Sequence, residues 1–351
     1  MSGGPSILVA RDSFKGTMSA AVVAEAVAAG VRNAGGNVDL CPVADGGEGT
    51  LEALRGAVGG HLVRRLATGP DGQRVEACYL LSRDGDSAVI ETAAASGLHL
   101  VDPERVDAWA ATSAGTGELL SAAASAGARH LLLGVGGSGC TDGGLGALSA
   151  IAEAGGLHGA RLTVLCDVVT PYEEAARVFG PQKGADENTV VRLTTRLHDT
   201  AAALPRDPCG HARTGAAGGL AGALWAAYDA DLVSGIDTIL GWHDVRRRLD
   251  QVDAVITGEG RIDAQSAQGK VVEGVARWSA DAGVPVYAVV GRNRADQHTL
   301  SALGIVAVVE AGDPASLRAA GAVITQQAGQ RPVRAARTAA IARSAKAAPH
   351  V

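Results

Sequence analysis

The chain has 351 residues, 47% hydrophobic and 19% charged, a globular composition long enough for two domains. A net charge of -6 with only 3% aromatic residues excludes the basic stripe and stacking rings of a nucleic-acid binder. No apolar run reaches bilayer length, and five scattered cysteines (Cys41, Cys78, Cys140, Cys166, Cys209) outline neither a disulfide framework nor a zinc site. The N-terminal M-S-G-G-P-S-I-L-V-A-R-D lacks a basic segment followed by an apolar core, so no secretory signal and a cytoplasmic location are expected.

Ser6 to Ala10 predicts a short buried strand, ending in the polar loop R-D-S-F-K-G-T with Asp12, Ser13 and Lys15. Thr17 or Ser19 can cap the helix that follows, whose apolar positions Val22, Val23, Ala26, Val27 and Val31 recur at helical spacing until Gly35-Gly36. Asn37 to Ala44 is a second strand, leading into D-G-G-E-G-T with Asp45 and Glu48 and a helix from about Thr50. This is the βαβ rhythm of a parallel sheet, which binds ligands at the carboxyl ends of its strands. Asp45 and Glu48 read equally as helix caps or as ligands of a metal or substrate.

From His61 the texture becomes antiparallel, with strands joined by Gly/Pro/Asp turns and ending at Glu91-Thr92. A helix is predicted over Gly115 to Ala126. His130 to Gly146, H-L-L-L-G-V-G-G-S-G-C-T-D-G-G-L-G, then reads as a buried strand followed by seven glycines and a helix start. Glycine permits close backbone approach, and a helix N-terminus favours negative charge. Gly134, Gly136, Gly137, Ser138, Thr141, Asp142 and Gly143 are therefore expected to cradle a phosphate, rather than only to make a tight turn.

Arg161 to Cys166 is another strand, closed by Asp167, a carboxylate placed for general-base or metal work or for capping. The special loop F-G-P-Q-K-G-A follows, then a helix over 189–203. The small-residue start Thr214 to Trp225 reads as close packing or as an anion site. Val252 to Thr257 is a strand entering Gly258, Glu259, Gly260, Asp263 and Lys270, and V-P-V-Y-A-V-V-G and G-I-V-A-V-V-E add two more buried strands. The expected architecture is α/β with two α/β domains: a parallel-sheet domain from 1–57 and 250–329, an inserted mixed-sheet domain at 58–249, and a tail at 330–351.

Only four of the 31 basic residues are lysine, and Lys15, Lys183 and Lys270 each touch a glycine. A lysine is a compact point charge where arginine is a rigid fork, so these three are candidates for phosphate or carboxylate contacts. G-V-G-G-S-G matches the dinucleotide fingerprint, with Asp167 placed like a ribose ligand, and keeps an NAD(P)-dependent oxidoreductase open. That reading leaves T-D-G-G and the loops at 45–48 and 258–270 without a role. Carboxylates and lysines beside several glycine loops suit phosphoryl transfer better, where catalysis is mostly positioning and charge neutralisation with Mg²⁺.

The blocks A-R-D-S-F-K-G-T-M-S-A, P-V-A-D-G-G-E-G-T, L-G-V-G-G-S-G-C-T-D-G-G, V-L-C-D-V, F-G-P-Q-K-G-A, S-G-I-D and V-I-T-G-E-G-R-I-D-A-Q-S-A-Q-G-K resemble the glycerate kinase family of bacterial sugar-acid catabolism. They occur in that family's order from Ile7 to beyond Gly291. The resemblance implies an ATP- and Mg²⁺-dependent kinase of two α/β domains with the active site in the cleft between them, making 2-phosphoglycerate or 3-phosphoglycerate. It implies a catalytic set of Lys15, Asp45, Asp167, Asp263 and Lys270, with Asp167 as the base and Lys15 or Lys270 neutralising the moving phosphoryl group. Ser13, Ser138, Asp142, Lys183 and Glu259 would bind nucleotide or phosphate, and Asp45 with Glu48 a metal. The expected partner is a small molecule, not a nucleic acid or a membrane, and a homo-oligomer is compatible with the reading. The chain departs from the family at V-T-P-Y-E-E-A-A after Asp167 and at the short bridge Glu153 to Gly159. These departures leave open a kinase for another small hydroxy acid or polyol.

Overall fold

β1 (Ser6–Arg11) is buried along Ile7, Leu8, Val9 and Ala10 without alternation, as a strand covered on both faces must be. The computed structural model describes residues 4–14, 17–263 and 270–330. α1 (Ala20–Asn33) begins where the Ser19 hydroxyl accepts the Val22 N–H at 3.4 Å, and it buries Val23, Val27 and Val31. β2 (Asn37–Pro42) returns parallel to β1.

The chain leaves this unit after Ala44 and builds a second unit over Asp45–Thr238. Its elements in order are α2 (Thr50–Val58), β3 (His61–Thr68), β4 (Arg74–Leu81), β5 (Ser87–Glu91), α3 (Ala93–Ser96), α4 (Ala114–Ser125) and β6 (His130–Gly134). Then come α5 (Leu145–Glu153), β7 (Arg161–Leu165), α6 (Ala175–Phe179), α7 (Glu187–Ala203), α8 (Leu220–Tyr228) and β8 (Asp231–Val233). The sheet order is β3-β4-β5-β6-β7-β8, antiparallel from β3 to β5 and parallel from β5 to β8. This is the mixed sheet expected of the middle of the chain. Its core gathers Tyr79, Leu119, Leu133, Val164 and Leu224.

α9 (Gly235–Trp242) carries the chain back to the first unit. There follow α10 (Val245–Leu249), β9 (Ala254–Thr257), β10 (Arg261–Ile262), α11 (Val271–Asp281), β11 (Val286–Val290), β12 (Arg292–Asn293), α12 (Gln297–Ala302), β13 (Ile305–Glu310) and α13 (Pro314–Gly329). The main sheet is all parallel in the order β13-β11-β9-β1-β2, beside a small β10-β12 pair. Ile7, Val9, Val27, Ile256, Val289 and Ile324 meet in its core. No helix among the described residues is long and apolar enough to cross a membrane.

The units divide at 44/45 and 238/239, where the sequence reading placed the breaks at 57/58 and 249/250. Two polar contacts explain the difference. The Leu51 N–H of α2 donates to the Glu91 carboxylate at the end of β5 at 2.7 Å, which fastens α2 to the second unit. Arg248 of α10 donates to both Asp39 carboxylate oxygens of β2 at 2.7 and 2.6 Å, a bidentate clamp within the first unit. The tail beyond Gln330 lies outside the described residues.

Within the second unit, two glycine turns are stacked backbone on backbone. The Gly136 N–H donates to the Gly46 carbonyl at 3.2 Å. A Cβ on Gly136 would lie 2.4 Å from the Gly47 Cα, and one on Gly134 would lie 2.6 Å from the Gly46 oxygen. No other residue fits there. Gly136→Ala is expected to destabilise the protein by about 2–3 kcal/mol through overpacking against backbone. Gly56→Ala, on an exposed helical position with nothing within 4 Å, should instead stabilise by about 1 kcal/mol. Urea unfolding of the two variants checks both signs.

In the first unit, burial of β1 extends to its last residue. Arg11 is 0% exposed, and its Nε, Nη1 and Nη2 have no hydrogen-bond partner among the described residues. Its guanidinium lies 5.0 Å from the Phe14 ring centroid. Burial pushes its pKa down to about 9, against an upward pull from Asp12. Arg11→Met is therefore expected to raise unfolding free energy by about 1–3 kcal/mol at neutral pH, since the desolvation of this buried ion is only partly offset by Asp12 and the Phe14 ring. Urea unfolding of the variant and the parent at pH 7 checks the sign.

Candidate functional site

Behind the stacked turns, at the carboxyl ends of β6 and β7, the second unit holds a cavity of about 330 Å³. Its polar lining is Asp45, Ser138, Asp167, Gln182 and Lys183, with Gly136 and Gly137 as bare backbone. Apolar walls come from residues such as Leu98 and Phe179. Strand ends of a parallel sheet are where such folds bind ligands, and the volume sits at the small end of ligand pockets.

Asp167 follows β7. Its Oδ1 accepts from the Gly235 N–H at 2.8 Å and the Ser234 hydroxyl at 3.1 Å, while Oδ2 is buried without a partner. Burial, then the neighbouring Asp45 charge, push its pKa up to about 7. A carboxyl held on one oxygen, unsatisfied on the other and poised near neutrality is equipped to take a proton. Asp45 lies on the α2 entry turn, its Oδ1 accepting the Gly47 N–H at 3.0 Å. Glu48, paired with Asp45 in the sequence reading, is exposed and does not line the cavity. Among the described residues no group of three or more His, Cys, Asp or Glu side chains could hold a metal ion. Cys166 also lines the cavity, but burial pushes its thiol up to about 12, which leaves it inert as a nucleophile.

Lys183 enters from the Pro181–Lys183 turn and is 2% exposed. Its ammonium donates to the Ser138 hydroxyl at 2.9 Å and the Cys140 carbonyl at 2.6 Å. Burial lowers its pKa.

Of the expected phosphate cradle in the glycine loop, Gly136, Gly137 and Ser138 line the cavity, and the rest of the loop is held by its own contacts. Asp142 accepts from the Ser113 N–H and hydroxyl, each at 2.8 Å, from the Gly144 N–H at 3.0 Å and from the Gly146 N–H at 3.1 Å. The anion at the N-terminus of α5 is the loop's own carboxylate. Thr141 and Gly143 are also away from the cavity. The Thr141 carbonyl accepts from Arg196 at 2.7 Å, and the Gly143 carbonyl accepts from the Tyr172 hydroxyl at 2.8 Å. Gly134 lies beneath the stacked turns rather than on the cavity surface.

The other expected residues fall in the first unit. The Asp12 N–H donates to the Gly258 carbonyl at 3.1 Å, which sets the loop carrying Ser13 beside Gly258, Glu259 and Gly260 at the ends of β1 and β9. Ser13 donates to Asp12 from its backbone at 2.6 Å. Asp263 pairs with Arg261 at 3.0 Å, and Lys270 is the N-cap residue of α11. Lys15 lies outside the described residues. Arg11 and Ser234 went unassigned in the sequence reading. A cation closing an apolar strand was the visible signal for Arg11, whereas the approach of Ser234 to Asp167, 67 positions away, left none.

The profile of the glycerate kinase family matches residues 7–154 and 153–338. The chain is 38% identical to a glycerate kinase of Bacillus subtilis (strain 168) over 86% of this chain and 89% of that one. It is likewise 38% identical to a glycerate 2-kinase of Escherichia coli (strain K12), with the same coverage of 86% and 89%. The crystal structure of the Salmonella typhimurium LT2 protein described as glycerate kinase 2 superposes with a TM-score of 0.76 at 36% identity, covering 98% of this chain and 99% of that one. With the profile match spanning both units, the chain belongs to the glycerate kinase family.

Proposed function

We propose that this chain transfers the terminal phosphoryl group of ATP to a hydroxyl of glycerate, giving 2-phosphoglycerate or 3-phosphoglycerate. The observation that carries the reading is Asp167: a half-buried carboxylate on the lining of a cavity sized for a small molecule, its pKa pushed up to about 7. As the base, Asp167 accepts the acceptor's hydroxyl proton while the acceptor's hydroxyl oxygen attacks the γ-phosphorus, whose bond to the β–γ bridging oxygen breaks to release ADP. Ser234 and Gly235 keep the carboxylate from rotating.

Mg²⁺ accompanying the nucleotide supplies charge neutralisation, and it usually leans on one or two carboxylates together with phosphate oxygens and waters. Asp45 fits that demand, being an oxygen ligand on the cavity whose negative charge is already felt by Asp167. Ser13, Gly258, Glu259, Gly260, Asp263 and Lys270 are proposed to serve the nucleotide from the strand ends of the first unit, together with Lys15. A cytoplasmic setting and a small-molecule partner accompany this reading.

Coupled ADP release with Mg-ATP and D-glycerate tests the function directly, and no ADP with glycerate overturns it. Asp167→Asn should lower kcat by about 10²- to 10⁴-fold, the usual worth of a positioned base. In the ligand-free protein, a carboxyl ¹³C resonance absent from Asp167→Asn should titrate near pH 7, and Asp45→Asn should move that midpoint downward by removing a like charge. Because the folded value is raised from 3.8 to about 7, Asp167 costs stability progressively as pH rises between about 4 and 7, and the full cost is present above about pH 7. Asp167→Asn should therefore exceed the parent in stability at pH 8, with the difference vanishing in acid.

A further inference from the structure

We infer that Lys183 is the residue that binds the acceptor's carboxylate, so that the site selects hydroxy acids over uncharged polyols. The inference rests on the proposed reaction and reassigns Lys183 from the nucleotide to the acceptor.

An ammonium group has three N–H donors. Two of those on Lys183 are committed, to the Ser138 hydroxyl at 2.9 Å and the Cys140 carbonyl at 2.6 Å. The third remains, on a side chain 2% exposed that lines the cavity. No carboxylate pairs with this cation among the described residues. A buried charge is normally paired, and here the missing partner is an anion small enough for a cavity of about 330 Å³.

Two further observations favour a carboxylate over a phosphoryl group. First, the two fixed hydrogen bonds hold Nζ in place. A phosphoryl group in transit is better served by a cation free to follow it, whereas a carboxylate that stays put through the reaction is served by a stationary one. Second, the cation and the base are held on different segments of the lining: Lys183 by Ser138 and Cys140, Asp167 by Ser234 and Gly235. An acceptor with an anionic end and a hydroxyl end satisfies both, its carboxylate on Lys183 and its hydroxyl toward Asp167. The reverse orientation would set a carboxylate against the two aspartates.

The test compares ligand binding by calorimetry in the parent, Lys183→Met and Lys183→Gln. Methionine fills the same buried volume without charge, and glutamine keeps a donor for Ser138 and Cys140. Any variant that retains the parent melting temperature should bind D-glycerate about 30- to 100-fold more weakly, the worth of one charge-assisted hydrogen bond. Its affinity for Mg-ATP should stay within about threefold of the parent, well below that effect. Unchanged glycerate affinity overturns the inference, as does weakened Mg-ATP affinity, which would return Lys183 to the nucleotide. Equal losses for both ligands together with a lowered melting temperature in both variants would show a structural tie only, and also overturn it. A parent that releases no ADP with glycerate defeats the proposed function instead, a result separate from any of these.

Discussion

The stacking of Gly46 and Gly47 on Gly134 and Gly136 is the contact on which the rest of the second unit's site depends. Backbone meets backbone there with no room for a methyl group. Because the turn after residue 44 is pressed against the end of β6, Asp45 is brought within electrostatic reach of Asp167 at the end of β7. A third approach completes the arrangement: a Cβ on Gly235 would lie 2.4 Å from the Asp45 carbonyl. The same segment supplies the Ser234 hydroxyl and Gly235 N–H that hold Asp167. Three chain segments remote in sequence are thus locked together by the absence of side chains, and the charged groups ride on them.

Charge in the cavity is deliberately unbalanced. Burial, and then the charge of Asp45, raise the cost of ionising Asp167, so its pKa is pushed up to about 7. The ammonium of Lys183 is desolvated yet tied only to neutral oxygens. Such an arrangement is unfavourable in the empty protein and is relieved by a ligand carrying the complementary groups. Stability and function therefore pull in opposite directions at the same residues.

Much of the architecture was readable because periodicity and glycine placement report directly on it. β1, α1, the antiparallel β3–β5 run and the late βα units all follow from local patterns. Asp167 was legible as a carboxylate closing a buried strand, and Lys183 through the scarcity of lysine in an arginine-rich chain. What surrounds them was not. Ser138 and Cys140 reach Lys183 across 45 and 43 residues, and no local pattern encodes that meeting. In the glycine loop, composition shows that a helix start can receive an anion, but not that Asp142 takes the N–H groups of Gly144 and Gly146. The unit boundaries shifted because single polar contacts, Leu51 to Glu91 and Arg248 to Asp39, decide which side a short helix joins.

The Asp142 knot bears on how fast a ligand can be captured. Its four accepted hydrogen bonds tie the start of α4 to the start of α5 without help from any bound molecule. The loop that presents Gly136, Gly137 and Ser138 consequently has its final shape before an encounter takes place. Association then carries no entropic penalty for ordering this wall of the pocket, and recognition there proceeds by selection of a matching guest rather than by folding around it.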